Sequence, residues 1–490
     1  MPQFLSQLFI GGAWEDAASG KTFPVQNPAN GETLVNIADA GPEDLKRAID
    51  QASDVRQEWA ATTALERSHI LRKAASIMRR DIDKLAEIMT LEQGKPLDQS
   101  RGEINYGCDF LDWFAEEGRR NYGMTIPSTT SSKRIVVSKQ AAGVSVAITP
   151  WNFPSLQILR KLGAALAAGC PMVVKPAALT PLSALEIGRA FAEAGLPEGV
   201  LSVITSAKAT AIGDAIMADD RVRVVSFTGS TEVGKILMRG AANTMKRVSL
   251  ELGGHAPFIV FEDADMDHAI EQALATKMRN MGQTCVSANR FYVQRSIAKE
   301  FSERFAARIL AMKIGHGNQP GTEVGPLVDA AAVEKVEQHV KDAVAKGATV
   351  LIGGKRSSGA DFDKGNFYEP TILMGVNDSM IVTYEETFGP VAPIIEFDDE
   401  DDVIRQANNS PFGLSAYFFT RDINRITRVS EALDYGTVGI NDGAISAVQA
   451  PFGGVKESGI GREGGHMGME EYLDVKYMSI GGLTANYPGA

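Results

Sequence analysis

The spacing of hydrophobic residues changes part-way along the chain. From about Asp44 to Arg120 they recur at helical spacing, as in ERSHILRKAASIMRRDIDKLAEIMTLEQ, which predicts amphipathic helices. Short apolar runs follow at 143–149 (GVSVAIT), 170–176 (CPMVVKP), 200–205 (VLSVIT) and 222–227 (VRVVSF), with the helical stretches LQILRKLGAALAAG and PLSALEIGRAFAEAG between them. Buried strands that alternate with helices predict a doubly wound parallel sheet.

A second alternation of helices and strands follows Cys285. Helical spacing spans about 296–312 and 331–346, and apolar runs follow in ATVLIGG and VAPIIEF. Two α/β layers are therefore predicted, with residues 253–290 near their junction. The one run of like charge, EFDDEDD at 396–402, is expected to supply acidic side chains to the first turn of a helix, where the helix dipole favours them.

Composition and charge disfavour several classes of protein. The chain has 49 Lys and Arg against 61 Asp and Glu, and its net charge of −12 argues against binding to a nucleic-acid backbone. Cys108, Cys170 and Cys285 are too few and too scattered for a disulfide framework, and the histidines show no metal-binding spacing. The first residues do not resemble a signal peptide, and no apolar run approaches the ~20 residues of a membrane span. We expect a soluble, cytoplasmic protein without a bound metal.

Two glycine-rich stretches resemble nucleotide-binding motifs. GIGREG at 459–464 has the spacing G-x-G-x-x-G, but no strand precedes it and too little chain follows for a βαβ unit, so we interpret it as a flexible loop. GSTEVGKI at 229–236 departs from a P-loop, because Ile236 stands where a hydroxyl must bind Mg²⁺. The strand, turn and helix around Gly229 and Ser230 still predict a helix N-terminus that presents N–H groups to a phosphate. An ordinary βα turn is the alternative.

Three further residues suggest nucleophilic catalysis. Cys285 in NMGQTCVSANR lies among glycine and small polar residues, where backbone N–H groups can reach whatever the sulfur holds. Asn152 in TPWNFP follows a predicted strand, and Glu251 in LELGGHAP lies beside two glycines. Together they offer a thiol nucleophile, an amide donor for an oxyanion and a carboxylate base. Taken singly, each has a structural alternative: a buried inert thiol, a helix cap and a surface charge.

Seven stretches together resemble the aldehyde dehydrogenase superfamily over essentially the whole chain. In order they are PWNFP, KPAALTP, FTGSTEVG, LELGGHAPFIV, GQTC, EETFGPV and PFGGVKESGIGRE. The phrases MRNMGQTCVSANRFYVQ, TYEETFGPVAPIIEFD and EEYLDVKYMSIGG are most similar to the succinate-semialdehyde dehydrogenase branch. The resemblance implies an α/β fold with two doubly wound parallel-sheet domains and a small β oligomerisation element. It places a dinucleotide-binding domain at 1–127 and 148–256, a catalytic domain at 257–450, and the oligomerisation element at 128–147 and 468–490.

The resemblance also implies roles for individual residues. Cys285 matches the nucleophile, Glu251 the general base, and Asn152 the oxyanion donor. The residues that match contacts with NADP or NAD are Thr149, Pro150, Trp151, Lys175, Ala178, Gly229, Ser230, Gly253, Glu386 and Phe388. Around a substrate carboxylate it places Arg160, Arg279 and Ser446; structural salt bridges are the alternative for the two arginines.

The chain departs from the branch at three positions. Ser287 stands where many relatives carry a second cysteine, so the reversible disulfide that those relatives can form is not expected here. His255 replaces an asparagine common in the branch, and LELGGHAP is similar to the 2-oxoglutarate-semialdehyde dehydrogenases. Ala178 stands where NAD-preferring relatives have a glutamate for the adenosine ribose, so NADP is expected to be accepted at least as readily as NAD.

The implied function is NAD(P)-dependent oxidation of a short ω-semialdehyde acid through a cysteine thioester, with succinate semialdehyde as the leading substrate. 2-Oxoglutarate semialdehyde, glutarate semialdehyde and a neutral aldehyde are alternatives. A CoA-acylating activity is disfavoured by Glu251, because such relatives generally lack that base. A structural, crystallin-like role is disfavoured by the intact set of Cys285, Glu251 and Asn152. The only partners expected are the small aldehyde and further copies of the chain, in a homodimer or homotetramer, with neither nucleic acid nor membrane.

Overall fold

The computed structural model describes residues 2–483. Its strands are β1 Leu8–Ile10, β2 Ala13–Glu15, β3 Thr22–Gln26, β4 Thr33–Ala38, β5 Met124–Ile126, β6 Arg134–Ala141, β7 Val144–Ile148, β8 Met172–Lys175, β9 Leu201–Val203, β10 Val222–Thr228, β11 Arg247–Glu251, β12 Ala256–Val260, β13 Ala288–Gln294, β14 Thr349–Ile352, β15 Thr371–Met374, β16 Val391–Phe397, β17 Phe412–Gly413, β18 Ser415–Phe419, β19 Thr437–Ile440, β20 Val455–Lys456, β21 Gly459–Ile460 and β22 Leu473–Ile480. Its α-helices are α1 Pro42–Ala61, α2 Ala64–Arg80, α3 Ile82–Gln93, α4 Leu97–Glu117, α5 Leu156–Ala168, α6 Leu182–Ala194, α7 Ala209–Ala218, α8 Thr231–Ala241, α9 Met266–Met278, α10 Arg295–Leu310, α11 Ala330–Ala345, α12 Glu400–Asn408, α13 Ile423–Ala432 and α14 Met467–Glu470.

Four consecutive helices, α1 to α4, confirm the helical segment predicted from the hydrophobic spacing. Thr63 begins α2 with a capping box, in which its side chain accepts the Glu66 N–H and its own N–H donates to the Glu66 carboxylate at 2.7 Å. Gly94 ends α3 with a φ of 95°, in the left-handed region that glycine favours. The chain reverses there, and the next residue, Lys95, is buried in the interior.

The first large sheet confirms the parallel strands predicted from residues 143–228. Its strand order is β2-β1-β9-β8-β7-β10-β11-β21, and β9, β8, β7, β10 and β11 run parallel. Antiparallel strands, β1 and β21, pair with the two ends of that parallel set. Helix α5 packs between this sheet and α2 and α4, which is why all of its residues are buried. The site residues that follow β7, β8 and β10 therefore lie together at the carboxyl edge of the sheet.

The second large sheet confirms the second α/β layer. Its order is β14-β15-β16-β13-β12-β18-β19. Strands β15, β16, β13, β12, β18 and β19 run parallel, and β14 is antiparallel at one edge. Helices α10 and α11 correspond to the predicted helical segments, with α10 ending two residues before the predicted boundary. The predicted fold class, two doubly wound layers of parallel strands, is thus confirmed, with antiparallel strands added at the edges.

A third, smaller sheet is antiparallel and has the order β22-β6-β5. Strand β22 is exposed along most of its length, including Val475, Tyr477 and Ile480. Strand β6 lies within 128–147 and β22 within 468–490, the segments predicted to form an oligomerisation element. Residues 144–147 belong instead to β7 of the first large sheet, and 484–490 lie outside the described residues. The division of the chain into domains stays a prediction.

Three sequence motifs have clear structural outcomes. The acidic run EFDDEDD supplies the first turn of α12, where the Asp399 side chain accepts the Asp402 N–H, as predicted. GSTEVGKI forms the predicted turn into α8, with Ser230 as the N-cap. GIGREG forms no βαβ unit, but the loop interpretation is wrong for Gly459 and Ile460, which form β21 because they pair with the edge of β11. No helix within 2–483 has the length and apolar character needed to cross a membrane.

Candidate active site

Cys285 lies on a tightly turned loop between α9 and β13. Asn280 and Met281 have φ values of 49° and 59°, in the left-handed region that is uncommon for residues with side chains. Gly282 follows with φ of 71°, and an added Cβ there would lie 2.3 Å from the Gly389 carbonyl oxygen. Strained backbone of this kind is concentrated at functional sites, and here it immediately precedes the candidate nucleophile.

The Cys285 thiol is half-buried, so it is not the inert core cysteine of the structural alternative. Burial, together with the carboxylates of Glu386 and Glu251, raises the pKa of this thiol to about 12, although Arg160 and Arg279 act in the opposite direction. The thiol is therefore protonated at neutral pH in the protein alone. A base must take its proton before the sulfur can attack an aldehyde.

Asn152 lies beside the nucleophile loop, in the turn between β7 and α5. Its side-chain N–H donates to the Gln283 carbonyl at 3.0 Å. Its own main-chain carbonyl accepts hydrogen bonds from the Lys95 ammonium at 2.7 Å and from the Asn280 amide at 2.9 Å. The Asn152 amide therefore faces the backbone two residues before Cys285, and its second N–H has no acceptor among residues 2–483. Such an N–H is free to donate to a ligand oxygen.

Glu251 ends β11 and is buried, so the surface-charge alternative is wrong. Within the described chain neither of its carboxylate oxygens has a hydrogen-bond partner. Burial and the neighbouring Glu463 carboxylate raise the pKa of Glu251 well above its usual value, against the opposing charge of Lys161. A raised pKa is what a carboxylate needs in order to take a proton from water near neutral pH.

A buried cluster of charges stands beside Glu251. Glu463 accepts hydrogen bonds from Lys161 and from Arg160, the latter at 3.3 Å, and Lys161 also donates to the Thr228 hydroxyl at 2.8 Å. Burial acts to raise the pKa of Glu463, but these two cations outweigh it and lower the pKa. Glu463 is therefore an anion, and its negative charge helps to raise the pKa of Glu251.

A cavity of about 800 Å³ opens at the carboxyl edge of the first sheet. Lys175 and Ala178 line one side and Gly229 another, and the cavity runs along α8. Burial lowers the pKa of Lys175 to about 8. An added Cβ at Gly229 would lie 2.4 Å from the Phe227 ring, so a larger residue in the turn before α8 would require that ring to move. A cation, the N-terminus of α8 and a small residue at 178 together fit the adenosine and phosphate half of a dinucleotide.

A second cavity, of about 370 Å³, continues the first toward Cys285. Because both are lined by the same four residues, Pro150, Trp151, Thr228 and Gly229, they form one continuous groove. The groove fits a ligand made of two linked nucleotide units.

The inner end of this groove is shaped by Glu386 and Phe388. Glu386 accepts the Gly254 N–H at 3.2 Å, and burial raises the pKa of this carboxyl to about 7. Phe388 has a left-handed backbone, with φ of 53°, and its ring packs edge-on against Trp151 at 5.4 Å between ring centres. Gly253 is close to Glu386, since an added Cβ would lie 3.0 Å from its carboxylate.

A third cavity, of about 360 Å³, lies on the other side of the nucleophile loop. Arg160 is buried there between the rings of Phe110 and Phe452, and it donates to the Ser446 hydroxyl at 3.2 Å. Its Nε has no partner in the described chain. Arg279, by contrast, is exposed and forms no ion pair with a carboxylate among residues 2–483. The salt-bridge alternative therefore applies to Arg160, through Glu463, and not to Arg279.

Of residues 2–483, Cys285 alone lines both the inner end of the groove and this third cavity. A ligand in the groove and a second ligand in the third cavity would meet at the thiol. The model for the aldehyde dehydrogenase family matches residues 14–478.

The chain belongs to the aldehyde dehydrogenase family.

Among its relatives this aldehyde dehydrogenase is 52% identical to the succinate-semialdehyde dehydrogenase [NADP(+)] GabD of Escherichia coli, over 98% of each chain. It is 52% identical to the glutarate-semialdehyde dehydrogenase of Pseudomonas putida, over 97% of this chain and 98% of the relative. The crystal structure of succinate-semialdehyde dehydrogenase from Burkholderia pseudomallei superposes with a TM-score of 0.95, at 50% identity and over 98% of both chains.

Every residue that the sequence predicted for a site in this aldehyde dehydrogenase lies at the groove, the third cavity or the adjoining charge cluster. Two of the three departures from the branch do not line them. His255 is buried and lines none of the three cavities, and neither of its ring nitrogens has a partner within 2–483. Burial lowers the pKa of His255 well below its usual value, so the ring is neutral. Ser287 is also buried, 3.4 Å from the Lys277 ammonium, and only Ala178 faces a ligand cavity.

Sequence reasoning missed the groups that support the three catalytic candidates. Lys161 and Glu463 are separated by 302 positions and Lys95 from Asn152 by 57, so no local motif joins them. A partial signal existed for Glu463, which ends the quoted motif PFGGVKESGIGRE. No cluster of His, Cys, Asp and Glu suited to a metal ion occurs between residues 2 and 483.

Proposed function

We propose that the protein oxidises a short aldehyde carrying a terminal carboxylate, with succinate semialdehyde as the preferred substrate and NADP as a cofactor used at least as well as NAD. The observation that carries the proposal is the position of Cys285, where the dinucleotide groove and the third cavity meet. The names of two relatives at 52% identity, a succinate- and a glutarate-semialdehyde dehydrogenase, support this class of substrate.

The carboxylate end of the substrate is assigned to the third cavity. Arg279 is exposed there without an ion-pair partner in the part of the chain that the structure describes, and a free guanidinium is suited to a carboxylate. Ser446 adds a hydroxyl, which is already held by Arg160 and by the Tyr106 hydroxyl at 2.8 Å. An unpaired carboxylate is costly to remove from water, so these fixed donors would favour a semialdehyde acid over a neutral aldehyde.

The chemistry follows from the groups around the thiol. Cys285 adds to the aldehyde carbon once it has lost its proton, and the oxygen that becomes negative accepts the free N–H of Asn152. NADP or NAD, when bound in the groove, supplies the hydride acceptor that leaves the carbon as a thioester on Cys285. Glu251 then takes a proton from the water that hydrolyses the thioester. The anionic Glu463 keeps the pKa of Glu251 raised.

The cofactor assignment rests on position 178. A glutamate there would bond the ribose hydroxyls of NAD and repel a 2′-phosphate, whereas Ala178 does neither. Lys175 lines the same cavity and offers a cation to that phosphate. The E. coli relative is named for NADP(+), which supports the assignment.

Glutarate semialdehyde is a second candidate substrate. The relative named for it is as similar to this chain as the relative named for succinate semialdehyde. The two acids differ by one methylene, which is worth only ~1–3 kcal/mol of discrimination in a pocket.

The experiment is a panel of aldehydes assayed with both cofactors. The purified protein is given succinate, glutarate and 2-oxoglutarate semialdehydes and butyraldehyde, and kcat/KM is measured from reduced cofactor. We expect kcat/KM for succinate semialdehyde and for glutarate semialdehyde to exceed that for butyraldehyde by at least about tenfold. We expect kcat/KM with NADP to match or exceed that with NAD. A preference for butyraldehyde would contradict the carboxylate assignment. Product formed only with added CoA would contradict hydrolysis through Glu251.

We also infer that the small antiparallel sheet joins copies of the chain in a homodimer or homotetramer. Met124 on β5 and Val475 and Tyr477 on β22 expose large apolar side chains on one face of the three-stranded sheet. A cluster of this kind is typical of a protein interface. Light scattering coupled to gel filtration is expected to show a dimer or tetramer, and a monomer at micromolar concentration would contradict the inference.

A further inference from the structure

Lys95 is a buried cation that the chemistry above does not use. Its side chain is 1% exposed, and its ammonium donates to the Asn152 carbonyl at 2.7 Å and to the Glu103 carboxylate at 2.5 Å. The same ammonium lies 4.1 Å from the centre of the Phe153 ring. Burying an ammonium group is costly even when it is paired. The cation is thus placed, at a cost, directly against the backbone of the oxyanion donor.

Glu103 fixes the other end of the same turn. While one of its oxygens accepts from Lys95, the other accepts the N–H groups of Ser155 at 2.9 Å and Leu156 at 3.1 Å. These N–H groups belong to the start of α5, which a carboxylate stabilises. One buried ion pair therefore holds both ends of the turn that runs from Asn152 into α5.

The peptide group between Asn152 and Phe153 links the Lys95 contact to the Asn152 side chain. Lys95 holds the carbonyl of that peptide, and the Phe153 N–H of the same peptide donates to Asn152 Oδ1 at 3.1 Å. Because a peptide group is planar, fixing the carbonyl also fixes the direction of the N–H. The N–H in turn fixes Oδ1, and so it directs the Asn152 Nδ2 toward Gln283 and the thiol loop.

Asn280 holds the same carbonyl from the nucleophile loop. Its amide donates to the Asn152 carbonyl at 2.9 Å and to the Gln283 carbonyl at 3.3 Å, and its Oδ1 accepts from Gln93 at 2.9 Å. The Asn152 carbonyl therefore has two fixed donors from different segments. Of these two donors, Lys95 is the charged one, and it is connected through Glu103 to the start of α5.

We propose that Lys95 is a positioning residue for the reaction, which orients the Asn152 amide toward the developing oxyanion by holding the main-chain carbonyl of Asn152. The proposal rests on the role proposed above for Asn152. Oxyanion donors are effective because they are fixed before the reaction, and a displacement of about 1 Å costs on the order of 10²-fold in rate.

The test is a double-mutant cycle on Lys95 and Asn152. Lys95→Met keeps the length of the side chain and removes the donor, and Asn152→Ala removes the amide. We expect Lys95→Met to lower kcat for succinate semialdehyde about 10- to 100-fold with little change in KM. In the Asn152→Ala background the same change is expected to cost less than about twofold, because the amide that Lys95 positions is gone. Lys95→Arg is expected to recover part of the rate.

Two controls separate positioning from general stability. Lys84→Met removes another Lys–Glu pair, with Glu186 at 2.8 Å, that has no contact with Asn152, and it is expected to leave kcat unchanged. The melting temperature and the Kd for NADPH are measured for every variant. If Lys95→Met does not fold, the same double-mutant cycle is run with the variant that combines Lys95→Met and Glu103→Gln. That variant leaves no unpaired carboxylate in the interior.

The outcomes distinguish a wrong role for Asn152 from a wrong role for Lys95. If Asn152→Ala turns over at the normal rate, Asn152 is not the oxyanion donor, and both the proposed role and the positioning fail. If Asn152→Ala is impaired and the loss from Lys95→Met is the same in both backgrounds, only the positioning is overturned. A loss confined to the background that retains Asn152 supports it.

Discussion

The carboxylate assignment makes a sharp prediction for Arg279. We choose Arg279→Met because its guanidinium is exposed at the third cavity without an ion-pair partner in the described chain, so the substitution breaks no internal salt bridge. Arg160 is a poorer choice, since it also holds Glu463 and a change there would disturb Glu251 as well. The substitution is assayed with succinate semialdehyde and with butyraldehyde, which has the same chain length and no carboxylate.

The expected magnitude follows from the exposure of Arg279. A hydrogen bond to a charged partner contributes ~1.5–3 kcal/mol, and solvent around an exposed guanidinium reduces that value. We therefore expect a loss near the lower end, about 1.4 kcal/mol, which is tenfold in kcat/KM for succinate semialdehyde. The loss is expected in KM, because the carboxylate is bound equally in the substrate and in the transition state. Butyraldehyde is expected to change less than about twofold, since it has no group for the arginine to bind.

The assay is the initial rate of NADPH formation over a range of each aldehyde. Arg119→Met is the matched control, because Arg119 is exposed and lines none of the three cavities. Equal losses for the two aldehydes would show that Arg279 supports the structure and not the carboxylate. No loss for either aldehyde would place the carboxylate elsewhere in the cavity.

Three further predictions concern the thiol, the base and the cofactor. In the protein without cofactor, the rate at which iodoacetamide alkylates Cys285 is expected to rise about tenfold per pH unit, because the raised pKa of the thiol keeps the reactive thiolate scarce at neutral pH. The rate is measured by mass spectrometry, with Cys285→Ser as the control. A rate that is flat from about pH 7 to about pH 10 would contradict this prediction. Glu251→Gln is expected to give a rapid burst of NADPH and then slow turnover in stopped-flow measurements, because the thioester forms but is not hydrolysed; an unchanged steady-state rate would remove Glu251 from the role of base. Ala178→Glu is expected to raise the Kd for NADPH more than the Kd for NADH in fluorescence titrations, and equal weakening of both would refute the cofactor argument.

Local sequence was enough to find the residues that are proposed to carry the chemistry. Cys285, Asn152 and Glu251 each stand in a short stretch whose glycine, proline or small residues are unusual in a core, and each follows or precedes a recognisable strand. The strands and helices around them are also predictable, because buried parallel strands are continuous apolar runs and helices α5 and α6 keep helical spacing. The ends of elements were less certain, as the two-residue difference at α10 shows.

The electrostatic environment of the site could not be predicted in the same way. Whether Glu251 is exposed or buried depends on how Lys161 and Glu463 pack beside it, and those residues come from α5 and from the loop after β21. The short strand β21 was predicted as a loop, because two residues that include a glycine have no strand signal of their own. It is the free edge of β11 that makes them a strand.

The position of β21 has a consequence for the order in which the enzyme is made. Residues 459–460 complete the edge of a sheet whose other members lie between residues 8 and 251, and Glu463 follows directly. During synthesis the parallel core of that sheet can form as soon as residue 251 has left the ribosome, since domains fold as their residues emerge. Glu251 then lacks its neighbouring anion until more than two hundred further residues have been added. A nascent chain can therefore hold the adenosine half of the groove, which is lined by residues 148–244, well before it has the inner half or a working catalytic centre.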